Sequence, residues 1–311
     1  MSAHVLAVGE ALVDQVRRPD GSTADHPGGS IANVALTLGR LGREVRLATW
    51  LGADDRGDLV RGWLAESGVR LVEGSDGAAR TSVAVATLDD DGSATYDFDL
   101  TWQVPAAALP GGPGAGADGA LAVHTGSIAA MLEPGATQVR ELLEAARATA
   151  TTTYDPNARP AIMGQADEVR PRVEALVHLS DVVKVSDEDL AWLYPGSDPV
   201  AVAREWQAGT PALVVVTLGG KGAVAVSDAG EVEVVAPQVD VVDTVGAGDS
   251  FMGALIDGLW EHDLLGAGRR AALDEVDAAT VRQVLEGCVA VAAVTVSRAG
   301  ANPPRREEVG S

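Results

Sequence analysis

The chain has 311 residues, 46% of them hydrophobic, and a formal net charge of -22. That length and apolar content suit one large α/β core with a small appendage, and the acidity argues against nucleic acid or an anionic membrane surface, both of which call for a basic face. The lone cysteine, Cys288, rules out a disulfide framework, and the N-terminus lacks the basic and long apolar regions of a signal peptide, so a cytoplasmic location is expected.

In chain order, Val5–Val8 reads as a buried strand with Leu12–Val16 as its extension. After the turn-like P-D-G-S-T, a helix is expected with Ser30 as N-cap, Ile31, Val34, Ala35, Leu38 and Leu41 on its apolar face, and Gly42 as its stop. Val45–Trp50 is the next strand and Asp55–Ser67 the next helix. Residues 79–101 alternate about a D-D-D-G-S turn, which is a hairpin signal. A Pro/Gly/Ala loop over 105–119 leads to strand Ala120–His124.

Helix and strand then alternate: helix Gly135–Ala150, strand Thr152–Tyr154, helix Val169–Leu179, strand Val182–Val185, helix Asp187–Leu193, helix Val200–Trp206, strand Leu213–Thr217. Short strands Gly222–Val226 and Val232–Ala236 flank a D-A-G turn. The final third is helical, over Gly248–His262 and Asp277–Val296, and its apolar runs read as too short and Gly-interrupted to span a bilayer. The pattern is βαβα with a largely parallel sheet, in a single domain over 1–311.

Residues 243–251 read D-T-V-G-A-G-D-S-F. Gly246, Ala247 and Gly248 have little or no side chain and stand at a predicted helix start, where free N–H groups and the dipole favour an anion such as phosphate. Asp249 falls in the first turn, where a carboxylate can take the proton of a hydroxyl attacking a γ-phosphoryl group. Taken alone, such an Asp more often only complements the dipole.

Other turns are weak singly. T-L-G-G-K-G at 217–222 ends a strand but lacks Walker A spacing. P-G-G-S-I-A-N at 27–33 lets a ligand approach the backbone of Gly28 and Gly29 and puts Asn33 in a first helical turn. Asp14 of G-E-A-L-V-D could accept two sugar hydroxyls, and Y-D-P-N-A-R at 154–159 has turn chemistry. The five histidines, His4, His26, His124, His178 and His262, show no metal-ligand spacing. No G-x-S-x-G elbow or C-x-x-C pair is present.

In order and spacing, these strings are far more specific than any one of them. With P-G-G-S-I-A-N-V-A near one end and D-T-V-G-A-G-D-S-F near the other, the chain resembles the ribokinase-type (PfkB) carbohydrate kinases from about Val5 to Pro303. Within that family it looks most like the bacterial fructokinases, through G-E-A-L-V-D, A-R-T-S-V-A-V, H-T-G-S-I-A, Y-D-P-N-A-R and V-V-K-V-S-D-E-D-L.

The resemblance implies a three-layer α/β/α sandwich with a small β-sheet lid from about 14–26 and 79–101. It implies ATP-dependent phosphorylation of a sugar hydroxyl with Mg2+. It casts Asp249 as general base and Gly246, Ala247 and Gly248 as an anion hole. Asp14, Gly28, Gly29, Asn33 and Arg159 would hold the sugar. Lys184, Thr217, Gly219 and Gly222, with Gly246 and Gly248, would line the nucleotide site. Asp243 and Val245 match positions that hold a monovalent cation, K+, in some members. A lid-to-lid homodimer is expected.

Ser186 and Asp189 replace the Asn and Glu common in the family after this strand, which puts a direct Mg2+ role for the segment in doubt. Asp97 and Asp99 make the lid acidic and disfavour a sugar acid. Fructose is the expected sugar. Ribose, a nucleoside or 2-keto-3-deoxygluconate stand as alternatives, and a Rossmann-type oxidoreductase or a silent sugar-binding module as alternatives of other classes. The missing G-x-G-x-x-G after the first strand counts against the oxidoreductase.

Overall fold

The computed structural model describes residues 2–89, 94–112 and 119–309. The tip of the 79–101 hairpin and part of the Pro/Gly/Ala loop lie outside the described residues. In chain order the elements begin β1 (His4–Val8), β2 (Leu12–Arg17), β3 (Thr23–Gly28), α1 (Ser30–Arg40), β4 (Val45–Ala48), α2 (Asp55–Ala65), β5 (Arg70–Leu71), β6 (Val83–Leu88) and β7 (Ala94–Asp99). They continue β8 (Ala120–Gly126), α3 (Gly135–Ala146), β9 (Thr151–Asp155), α4 (Pro160–Met163), α5 (Ala166–His178), β10 (Val182–Ser186), α6 (Asp187–Leu193), α7 (Pro199–Gln207) and β11 (Leu213–Thr217). Last come β12 (Ala223–Ser227), β13 (Gly230–Val234), α8 (Ala247–Glu261), α9 (Arg270–Asp274) and α10 (Ala278–Val296).

Among the described residues, the main sheet has nine strands in the order β13-β12-β11-β10-β9-β8-β1-β4-β5. It is parallel except at β11–β12 and β12–β13. Strands β1, β11 and much of β10 are apolar runs because both faces of the sheet are covered there, whereas the edge strand β13, G-E-V-E-V, alternates. In β11, Leu213 and Val215 join the core on one side and Val214 and Val216 the core on the other. Helices α1, α8 and α10 cover the first face. Helices α3, α5, α6 and α7 cover the second. This is the three-layer α/β/α arrangement the sequence implied.

A separate four-stranded sheet has the order β3-β2-β6-β7. Leu12–Val16 is therefore not an extension of β1; it is β2 of this second sheet. Gly9 breaks the strand, for a Cβ there would overlap Ile31. Within β2, Val13 and Gln15 are buried while Asp14 between them is exposed, as expected of a sheet with one covered face. Strand β3, T-A-D-H-P-G, was not expected. It is polar and contains Pro27, which an edge strand tolerates.

Two further expectations are corrected. Ser30 is not the N-cap of α1: Gly29 is, at φ +110°, and Ser30 is the first helical residue with its hydroxyl turned inward. Helix α10 is, by length and composition, apolar enough to cross a membrane. Here it supplies Val281, Leu285, Cys288 and Val291 to the core beside α8.

Candidate active site

The carboxyl ends of β1, β8, β9, β10 and β11 open toward the small sheet, and a cleft of about 990 Å³ runs between them. Ligands of open α/β sheets bind at this end of the strands. Helix α8 points its N-terminus into the cleft. Its N-cap Gly246 takes the left-handed conformation at φ +75°, and a Cβ there would stand 2.6 Å from the Ala301 Cβ. The first turn of α8 thus begins at the cleft, where its dipole favours an anion, with the Ala247 amide donating to the Thr244 carbonyl at 3.2 Å.

Asp249 sits in the first turn of α8, 5% exposed. Its Oδ1 accepts the Ser30 hydroxyl at 2.7 Å and Asn157 Nδ2 at 3.0 Å, and its Oδ2 accepts Asn33 Nδ2 at 2.7 Å. Asn157 Nδ2 also donates to Ser30 Oγ at 2.6 Å. Residues from α1, the turn after β9 and α8 meet on one carboxylate. Asn157 holds φ +37°, a left-handed conformation that Asn tolerates better than most residues. The sequence marked Asn33 and Asp249 but treated Asn157 only as turn chemistry.

Lys184 in the middle of β10 is buried and pairs with Asp155 at 2.9 Å. Burial pushes its ammonium down, but Asp155, Asp189 and Asp249 outweigh that and hold it above its ordinary range. A Cβ on Gly248 would lie 2.9 Å from Lys184 Nζ, so the ammonium lies directly against the α8 N-terminus. Ser186 and Asp189 close a capping box at the start of α6, and Asp189 Oδ1 also takes the Ala158 amide at 2.8 Å. That is what these replacements do in this chain.

At the other end of the cleft, Asp14 on β2 stands in register with Ala84 of β6 and Phe98 of β7, and the rings of Phe98 and Tyr96 stack with centroids 6.3 Å apart. Burial raises the Asp14 carboxyl above its ordinary range, with His26 and Arg159 opposing. A Cβ on Gly28 would overlap Asp14 Oδ2, and one on Gly29 would stand 2.5 Å from the Glu10 carbonyl. Arg159 lines the same end and donates to Asn157 Oδ1 at 2.6 Å. The opposite wall carries Thr217, Gly219, Gly222 and Val245. Gly222, at φ +114°, has no room for a Cβ beside the Val234 carbonyl.

Of the residues singled out for the site in the sequence, Gly28 and Asp243 stay off the cleft wall, and so do the lid carboxylates Asp97 and Asp99, the latter paired with Arg80 at 2.7 Å. Asp243 accepts the Val245 amide at 3.0 Å and the Gly300 amide at 2.9 Å, and these bonds hold its carboxyl below the usual range.

Residues 2–308 match the model of the pfkB family carbohydrate kinases. The chain belongs to this family. It is 35% identical to probable fructokinase-4 of Arabidopsis thaliana, over 99% of this chain and 95% of that protein. Fructokinase with bound ATP from Xylella fastidiosa superposes with TM-score 0.82 at 27% identity, covering 96% of this chain and 93% of that one. Aminoimidazole riboside kinase from Salmonella enterica, complexed with aminoimidazole riboside and an ATP analogue, superposes with TM-score 0.76 at 26% identity, over 96% and 95%.

A carbohydrate kinase of this family handles ATP, and the cleft contains a slot that suits its base. Val239 and Val241 line it together with Val289, Ala292, Ala293 and Val296 of α10. Such walls suit a purine, whose flat face gains from leaving water. The sequence did not reveal this slot, because its halves lie some fifty residues apart in regions read as meander and core helix. Glu10, buried on the cleft wall, was also missed, hidden between a strand and the more conspicuous Asp14.

Proposed function

We propose that this carbohydrate kinase is an ATP-dependent fructokinase in which Asp249 is the general base. The observation that carries the reading is the seating of Asp249: buried, fixed by Ser30, Asn33 and Asn157, and at the anion-favouring start of α8. The sugar lies between Asp249 and the small sheet, held by Asp14, Asn33, Arg159 and the backbone at Gly29, while Gly28 leaves room for the Asp14 carboxylate. The small sheet acts as a lid that excludes water, a competing phosphoryl acceptor.

Asp249 takes the proton from the primary hydroxyl as its oxygen attacks the γ-phosphorus and the bond to the β-phosphate oxygen breaks, releasing ADP. The amides of Ala247 and Gly248, following the turn at Gly246, face the charge spread over the transferring group. Lys184, Thr217, Gly219 and Gly222 line the triphosphate end of the ATP site, and the valine-rich slot takes the adenine.

Among the described residues no three His, Cys, Asp or Glu side chains gather into a metal cluster. The donors present nonetheless suit Mg2+ carried in on ATP. Asp189 lies on the cleft wall, and the buried Asp155 keeps one oxygen without a hydrogen-bond partner. Mg2+ takes only one or two carboxylates, with phosphates and water for the rest. When bound, it neutralises phosphate charge. K+ at Asp243 and Val245 belongs to the same proposal, and a higher kcat in KCl than in NaCl checks it.

A second reading has its own support. The stacked Tyr96 and Phe98 on the cleft wall offer a platform for a planar group, as a riboside carries. ADP release measured over ketohexoses, pentoses, ribosides and sugar acids separates the two. We expect the highest kcat/KM with fructose; a riboside preferred over fructose selects the second reading, and no ADP with any sugar removes both. Location in the cytoplasm and a homodimer covering the open edge strands β3 and β7 complete the proposal.

A further inference from the structure

Glu10 is an ionisable group with no place in the chemistry above, yet it is wedged beneath it. It follows β1 and is 6% exposed. Its Oε1 accepts the backbone amide of Ser30, the first residue of α1, at 3.1 Å. Its Oε2 accepts the amide of Ala129, in the turn after β8, at 3.3 Å. That turn begins at Ser127, whose φ of +51° is rare for a residue other than glycine. One carboxylate therefore ties three separate stretches of chain together beside the base. Ser30, held at its amide by Glu10, holds Asp249 with its hydroxyl.

We propose that Glu10 is a positioning residue for phosphoryl transfer: its ionised carboxylate anchors the Ser30 end of α1 and so fixes the orientation of Asp249. This rests on the kinase reading of Asp249. A carboxylate accepts with both oxygens; a carboxylic acid has one oxygen turned donor and cannot serve both amides equally well. The hold is thus strongest in the ionised form and loosens on protonation.

The surroundings place that change in the neutral range. Burial raises the Glu10 carboxyl to about 7, against its own backbone amide, the Ser30 amide, the Ser127 side chain and the charge of Arg159, all of which lower it. The other ionisable groups on the same cleft wall are Asp14 and Tyr96 from the small sheet, Asp249 from α8, Lys184 from β10, Arg159 from the turn after β9, and Asp187, Glu188 and Asp189 from α6. Glu10 also lines a small cavity whose other described lining residues, Trp50, Ser82, Thr101, Trp102 and Ile128 among them, are all neutral.

The test compares wild type, Glu10→Gln and Glu10→Asp in two measurements from pH 6 to 8.5. The first is kcat and sugar KM. Wild-type kcat should rise with pH through about 7, while Glu10→Gln should lose that rise and fall in kcat by about 10²-fold, the scale of a 1 Å misplacement. Its sugar KM should change less than threefold, as expected of a group that does not touch substrate. Glu10→Asp, too short to reach both amides but still ionisable, should lose kcat while keeping a pH dependence.

The second measurement needs no substrate: the Ser30 and Ala129 amide resonances, followed by 15N NMR. They should titrate together near pH 7 in wild type and stay fixed in Glu10→Gln. Amides that titrate identically in wild type and Glu10→Gln overturn the anchoring, as does Glu10→Gln with the wild-type pH rise. A raised KM with unchanged kcat overturns the positioning role in favour of direct substrate contact. If wild type phosphorylates no sugar, the kinase reading fails and the turnover half fails with it, while the amide titration still decides whether Glu10 anchors α1.

Discussion

Asp249 has both carboxylate oxygens engaged by side-chain donors, an arrangement that orients a base rather than merely capping a helix. Asp249→Asn should keep the fold and ATP binding but lower kcat by about 10²–10⁴-fold, the range of general base catalysis; steady-state kinetics beside ATP titration checks this. Gly28 gives a second prediction at this scale. It does not line the cleft, yet a Cβ there would displace the Asp14 carboxylate, the movable end of a side chain. Gly28→Ala should therefore raise sugar KM about tenfold, with kcat much less affected and Tm nearly unchanged, because uniform binding is what is lost. In the sequence Gly28 and Asp14 were both legible as sugar-site residues. That one makes room for the other was not, because their contact is made by pairing of β2 with β3, and β3 carries little strand signal.

Elements were legible in proportion to how deeply they are buried. The bounds of α6 and β11 agree with the sequence reading, and α8 lies within a residue of it. A strand covered on both faces is a plain apolar run, and a helix with a Ser or Asp cap announces its start. The exposed β3 announces nothing. The packing of α1 on α8 carries the site, and Gly253 is its closest approach: a Cβ there would come within 2.7 Å of Thr37. Gly253→Ala should cost about 1–3 kcal/mol of stability by overpacking. It should also lower kcat, because the shift separates Asp249 from Ser30 and Asn33; denaturant melts and kinetics on the same variant check both. A variant destabilised with unaltered kcat would show that α1 and α8 can separate without disturbing the base.

Over the whole molecule, buried ionisable groups couple stability to pH. His124 is fully buried in the sheet, its Nδ1 within 3.0 Å of Thr153 Oγ1. Burial, then the charge of Lys184, depresses it from 6.5 to about 3. The unfolded chain binds the proton more readily, so the stability His124 contributes is whole above pH 6.5 and is lost as pH falls toward 3. The loss amounts to roughly 4–5 kcal/mol. Glu10 runs the other way. Its raised value means the folded state holds the proton more tightly, so stability falls as pH rises from about 4.5 to 7. Chemical denaturation of His124→Gln from pH 4 to 8 should show a weaker acid loss than wild type, leaving the opposite slope of Glu10 exposed.

By itself the sequence determined the layers, the alternation of strand and helix and the two glycine-rich turns, because burial, capping and backbone freedom are local demands written in local residues. Only the tertiary structure decided that Glu10, Ser30, Asn33, Asn157 and Asp249 share one hydrogen-bonded cluster, and that Val239 and Ala292 line one cleft. Those partners are separated by tens to hundreds of residues. Their meeting is fixed by the order of strands in the sheet and the packing of α1 on α8, which no single stretch of chain encodes.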